Sequence, residues 1–222
     1  MKVIFPRNYE KIDDKFLKKI VDDNYKRIYI GGEFCFRLFP DFNKIQQLIK
    51  IVLENGLDYS IITPPLFQDD YLKFIKKIDR LIECYGQIEV IVNDMGLLYY
   101  LRNKKIDRVA GRAISHLGES EGGRVFLKSM GIGLIESDDL YSLNGKDFGI
   151  SLYYPYRFMQ TTRNCIISSL HGKCRKQCLY DNFYIKNSMM REKVIYLGNS
   201  SYIEYDKIFN KKVERKVTEI LY

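Results

Sequence analysis

The sequence predicts an α/β fold of parallel strands, and three observations predict it. Short apolar runs begin near residues 2, 28, 59, 88, 107, 132 and 148. Stretches with apolar residues at helical spacing separate most of them. Residues able to carry chemistry, Cys35, Asn93, Asp94 and Arg112, fall just after such runs. Alternating strands and helices require crossovers between parallel strands. A (β/α) barrel and an open doubly wound sheet both satisfy that requirement, and both bind ligands at the carboxyl ends of the strands.

The elements follow in order. Lys2 to Phe5 reads as a first strand. Asp13 or Asp14 caps a helix with Phe16, Leu17, Ile20 and Val21 on one face. Arg27 to Gly32 is the next strand, and its glycines let the chain turn sharply. Asp41 caps a helix carrying Ile45, Leu48, Ile49 and Val52, which Asn55-Gly56 stops. Tyr59 to Thr63 is a strand closed by Pro64-Pro65. Asp69 or Asp70 starts a helix with Leu72, Ile75, Ile78 and Ile82 inward, ended by Gly86. Ile88 to Val92 leads through Asn93-Asp94-Met95-Gly96 into a short helix past Leu101. Asp107 to Gly111 is a brief strand before Arg112. A helix is expected between Glu119 and Met130, weakened by Gly122-Gly123, and strands at Ile132–Ile135 and Phe148–Tyr153 follow. Three short strands are expected at 182–185, 193–197 and 201–205, with Gly198-Asn199 as the turn between the last two. Lys207 to Tyr222 reads as a lysine-rich helix with Val213, Val217 and Ile220 on one side.

At 222 residues the chain can bury the core of one α/β domain, or of two small ones at most. It is 46% hydrophobic and 29% charged, as globular proteins are. No run approaches the ~18 apolar residues of a membrane span. The apolar segment at the N-terminus is too short for a secretory signal. The expected compartment is therefore the cytoplasm, where clustered cysteines speak for metal or redox chemistry and not for structural disulfides. Lys and Arg outnumber Asp and Glu by 36 to 28, a balance of +8 that favours an acidic partner or substrate, RNA included. The basic residues are spread along the chain, as on solvated helix faces, so no nucleic-acid site follows from charge alone.

The cysteine-rich loop at 161–180 holds Cys165, Cys174 and Cys178, spaced C-x8-C-x3-C. Cys35 stands far upstream, after the second strand. If that strand end meets the loop, four soft sulfur donors converge. Such a set suits an iron–sulfur cluster or a zinc ion. The reading taken here is a [4Fe–4S] cluster on Cys35, Cys165, Cys174 and Cys178, with zinc as the alternative. Cys84 is expected to be a buried, inert thiol. His171, inside the loop, is the one histidine able to replace a cysteine at zinc. Neither a Ser-His-Asp arrangement nor an H-E-x-x-H motif occurs.

Several stretches together carry a resemblance: Ile28-Tyr29-Ile30-Gly31-Gly32-Glu33-Phe34-Cys35, Val92-Asn93-Asp94-Met95-Gly96-Leu97-Leu98, Val109-Ala110-Gly111-Arg112, and Cys165 with the Cys174/Cys178 pair. In order and spacing they resemble peptidase family U32, the collagenase-like proteases, and within it the UbiV/UbiU branch. The resemblance covers residues 1–205. It implies a barrel-like fold, a [4Fe–4S] cluster on those four cysteines, and oxygen-independent hydroxylation of a small molecule or of tRNA. It also implies a homologous subunit as heterodimer partner. The chain is shorter than that branch, its Cys165–Cys174 gap is tighter, and the last strand–helix unit is missing from the sequence pattern. The expected barrel is therefore incomplete or open at its C-terminal end, one domain over 1–205 followed by a basic helix at 206–222. Such an edge calls for cover, by a partner, by self-association or by the tail. Arg112 and Asn93 are candidate substrate-binding residues, and Glu33 and Asp94 candidate catalytic ones. For three of them a structural role competes: a surface ion pair for Arg112 and helix capping for Asn93 and Asp94.

Overall fold

The computed structural model describes residues 1–138, 147–162, 165, 168–169, 172–180, 183–186, 192–204 and 213–221. Eight parallel strands form a closed barrel. In chain order they are β1 (Lys2–Pro6), β2 (Arg27–Gly31), β3 (Asp58–Ile62), β4 (Glu89–Val92), β5 (Asp107–Ala110), β6 (Leu134–Ser137), β7 (Gly149–Tyr154) and, after an insertion, β12 (Arg215–Ile220). The insertion supplies β8 (Tyr156–Thr161), β9 (Phe183–Ile185), β10 (Val194–Leu197) and β11 (Ser200–Glu204). These make an antiparallel sheet in the order β8-β11-β10-β9. Five helices cross over between the barrel strands: α1 (Asp14–Asp22), α2 (Phe42–Glu54), α3 (Gln68–Tyr85), α4 (Met95–Leu101) and α5 (Glu121–Ser129). None of the described helices is long and apolar enough to cross a membrane.

Side chains alternate across each barrel strand, as a pleated strand requires. Val3, Phe5, Tyr29, Ile62, Ile91, Val109, Tyr153 and Val217 form a core of their own inside the ring. Ile4, Ile28, Ile30, Ile61, Val90 and Val92 point outward into the larger core beneath the helices. Four helices are capped by a side-chain oxygen, from Asp13, Asp41, Asp94 and Ser120 to the backbone N–H three residues on.

Several expectations need correction. The barrel is closed, not open. Residues 215–220, expected within a tail helix, form β12, which pairs with β1 on one side and β7 on the other. So the domain does not end at 205. The spacing of Val213, Val217 and Ile220 fits a helix, but Val217 and Glu219 both turn into the ring with period two. A buried charge masked that alternation. The remainder of the expected tail helix, at 207–212, lies outside the described residues. On α3 Ile78 is buried with Phe74 and Leu81, Ile75 and Ile82 pack half-buried against the same core as expected, and Leu72, expected inward, is 70% exposed. Cys84, on the same helix, is exposed and not buried. β8 was not foreseen.

Gly31, at the carboxyl end of β2, has φ of 142°. A Cβ there would stand 2.1 Å from the Ile62 carbonyl oxygen on β3. Gly31→Ala is expected to cost about 2 kcal/mol or more, from backbone strain and a clash with main chain that cannot rotate away. Urea unfolding of the variant checks this, and an unchanged midpoint would contradict it.

Candidate metal centre and the sealed barrel mouth

The segment Glu33-Phe34-Cys35 leaves β2 at the carboxyl end of the barrel and places three side chains in three settings. Cys35 enters a cavity of about 460 Å³. Cys165, Cys174 and Cys178 line the same cavity, with Gly198 and Asn199 from the turn between β10 and β11. All four cysteines are free thiols. The turn helps to seat them. Cys165 Sγ donates to the Gly198 carbonyl at 3.1 Å. Asn199 Nδ2 donates to the carbonyls of Phe34, at 2.9 Å, and Thr162, at 3.0 Å. The β2 end and the cysteine loop are thus tied to one turn. The Gly-Asn pair was legible as a turn, but nothing in the sequence marked it as part of the cavity wall.

Burial pushes the Cys178 thiol up to about 12, and the neighbouring Cys35, Cys165 and Cys174 sulfurs add to the shift. Cys35 is also raised, first by burial and then by Cys165 and Cys174, while backbone hydrogen bonds from Arg37 and Leu38 act in the opposite sense. Four soft sulfur donors line one cavity. The donor set therefore fits a thiolate-bound metal centre. Among the described residues no three His, Cys, Asp or Glu side chains are gathered closely enough to hold one metal ion. A lone zinc needs all its sulfurs at ~2.3 Å from a single point. A cluster would spread its thiolates over several irons. His171 lies outside the described residues.

Glu33 and Arg112 meet below this cavity, over the mouth of the barrel. Arg112, just past β5, makes a two-pronged pair with Glu33, Nε to Oε1 at 2.7 Å and Nη2 to Oε2 at 2.5 Å. It also reaches Asp138 at 2.8 Å and Glu219 at 3.2 Å. Arg7, just past β1, pairs with Glu33 at 2.7 Å and with Glu219, and donates to the Tyr202 hydroxyl at 2.6 Å. Arg7, Glu33, Arg112 and Glu219 are all buried. Burial pushes Asp138 up to about 6 even with Arg112 beside it. Phe34 stacks on Phe158 with ring centroids 4.1 Å apart, and Tyr202 packs against both. The Arg7 and Arg112 guanidiniums lie against the Phe34 and Tyr202 rings, and Cys35 follows Phe34 directly, so the ion-paired group and the cysteine cavity adjoin. Arg112 thus takes the ion-paired role among its two expected ones, in the interior and not at the surface.

Asn93 and Asp94 brace the scaffold. Asn93 donates to the Thr63 carbonyl at 2.9 Å and accepts from the Ala113 N–H at 2.9 Å. Asp94 caps α4 and accepts from the Leu66 N–H at 3.0 Å. Neither lines the cysteine cavity. Arg7, Glu136, Asp138 and Glu219 had no mark in the sequence. A single charged residue at a strand end reads as a solvated one.

Beneath the mouth, Glu136 on β6 points into the ring and accepts from the Tyr153 hydroxyl at 2.6 Å. Its other oxygen has no hydrogen-bond partner among the described residues, nor do the Tyr29 hydroxyl and Ser151 Oγ. Burial, with Glu33 nearby, pushes Glu136 up to about 8.

No protein-family model matches the chain, and no curated protein does. Among solved structures, that of the U32 peptidase Mk0906 aligns over 99% of this chain and 92% of its own, with a TM-score of 0.52 and 9% identity. The chain has a distant U32-like fold. At that identity the likeness is one of architecture. The U32-like barrel here is the closed ring of eight strands, and the inserted sheet together with the cysteine loop stands at its carboxyl end.

Proposed function

We propose that this U32-like protein holds a [4Fe–4S] cluster on Cys35, Cys165, Cys174 and Cys178, as the cluster-bearing subunit of an oxygen-independent hydroxylase-like system. The observation that carries the proposal is the meeting of Cys35 with the three loop cysteines at one cavity. The UbiV/UbiU-like motifs add the reaction class, with a small molecule as substrate. A cluster with four protein thiolates has no open position at iron, so what it supplies is electron transfer or structural support. The chain's own residues bring the thiols to one cavity, and the Phe34, Phe158 and Tyr202 rings pack beside it against the ion-paired group.

A second reading, a noncatalytic scaffold for a catalytic subunit, is favoured by the state of the barrel mouth. Glu33 and Arg112 are committed to each other and to Arg7, Asp138 and Glu219, which leaves neither group free for a substrate. The closed ring removes the exposed edge as a reason for a partner, so a homologous subunit is supported by the family resemblance alone. RNA as substrate is supported by the basic charge balance alone, and peptidase activity by the U32 peptidase neighbour alone.

Anaerobic reconstitution tests the proposal. The expected result is about four iron and four sulfide per chain with a thiolate-to-iron absorption band. Cys35→Ser and Cys178→Ser should each lose most of the iron. One zinc per chain and no sulfide would establish the zinc alternative, and no bound metal would end both. Anaerobic turnover with and without a co-purified homologous subunit separates hydroxylase from scaffold.

A further inference from the structure

Beside the cysteine cavity lies a second, wider concavity of about 720 Å³, lined by Tyr9, Arg37, Lys44, Lys77 and Lys176 among others. Phe36 and Arg37 belong to both walls, so one layer of residues separates the two. Four cations converge on it from four segments: the turn after β2, α2, α3 and the cysteine loop. Two acids are also present, and both are engaged. Asp41 caps α2 through the Lys44 N–H at 2.8 Å, and Glu10 accepts from the Tyr180 hydroxyl. Among the described residues Lys176 donates to the Tyr9 hydroxyl, at 3.3 Å, and Lys77 lies over the Phe36 ring at 5.7 Å. None of the four cations is ion-paired among the described residues. The N-terminus of α2, thirteen residues long, adds its positive end to the same surface.

We propose that this basic concavity docks an acidic electron-carrier protein. The inference rests on the cluster reading for the partner's redox role, but the charge complementarity stands without it. Unpaired cations held in a fixed group steer an acidic partner and set its orientation. The position adds the second argument. A carrier seated there faces the four thiols across Phe36 and Arg37.

The test measures binding of a plant-type ferredoxin, an acidic iron–sulfur carrier, to the full chain by calorimetry, with iron and sulfide assayed on the same sample. Affinity should fall at least ~10-fold from about 50 to about 300 mM salt, as exposed charge pairs are screened. It should fall at least ~10-fold in Lys44→Glu/Lys77→Glu and stay unchanged in Lys105→Glu, just before β5 at the opposite end of the barrel. Lys44→Gln and Lys77→Gln, each expected to weaken binding roughly threefold, keep the test decisive if the double reversal disturbs folding. No binding at any salt, or binding indifferent to these variants, overturns the proposal. So does citrate binding that depends on Lys44 and Lys77 without ferredoxin binding, which would make the concavity a small-anion pocket. An iron-free sample that binds ferredoxin with the expected pattern upholds the surface and sinks the cluster. A loaded sample that does not bind sinks the surface alone.

Discussion

Arg112→Ala is expected to destabilise the protein by about 3–5 kcal/mol, the cost of stripping one partner from a buried ion-paired group. The group sets two guanidiniums, of Arg7 and Arg112, against three carboxylates, of Glu33, Asp138 and Glu219. Removing Arg112 leaves Arg7 alone against those acids, with Glu33 and Glu219 both shut away from water. It also removes the guanidinium that lies 3.9 Å over the Tyr153 ring. Urea unfolding reads the effect, with exposed Lys105→Ala as a control expected to move by less than ~0.5 kcal/mol. The pair also couples. Glu33→Gln in the Arg112→Ala background should cost less than the sum of the two single changes, because the carboxylate it removes has already lost its main partner. A loss below ~1 kcal/mol for Arg112→Ala would mean that water reaches the group freely, contrary to its burial.

The second large effect depends on pH. Glu136 is raised from its ordinary value of 4.5 to about 8 in the folded protein. Between those values the native state keeps a proton that the unfolded chain has released. Stability therefore falls as pH rises through that window, having been fully present below it, and levels off above about 8. The steepest slope from one such group is ~1.4 kcal/mol per pH unit. Glu136→Gln keeps the shape of the protonated acid and cannot lose a proton. Its stability should decline less than the parent's between about pH 5 and about pH 8, and by pH 9 it should be the more stable protein by several kcal/mol. Asp138, raised to about 6, gives both proteins a smaller decline of the same sign at lower pH. Parallel curves for parent and variant across the window would show that Glu136 ionises at an ordinary value.

Seven of the eight barrel strands were legible because each is a short apolar run at a crossover spacing. The helix caps at Asp13, Asp41 and Asp94 were legible because an acidic residue stood before each periodic face. The eighth strand was not. Its inward residues are Val217 and Glu219, and an inward glutamate spoils an apolar alternation unless the reader knows that Arg7 and Arg112 wait for it. β8 was hidden for a related reason. Only Tyr156 and Phe158 of Tyr156–Thr161 turn to the core, and Arg157, Met159, Gln160 and Thr161 are exposed, so the alternation is too short to print a pattern. The four cysteines were found by spacing and by their placement after a strand end, both one-dimensional signals. The charged mouth is three-dimensional. Its members come from β1, β2, β5, β6 and β12, and only the closed ring brings those ends together.

β12 slots between the first and seventh strands, and it comes after the whole inserted sheet and the cysteine loop. During synthesis, seven strands with two raw borders must therefore wait for residues 215–220 to leave the ribosome before the ring can shut. The four thiols are already made by then, on a scaffold not yet locked, and the lock itself delivers Glu219 to two waiting arginines. The proposed cluster, if built during synthesis, would have that interval for its assembly, after the cysteine loop emerges and before the last strand is laid down.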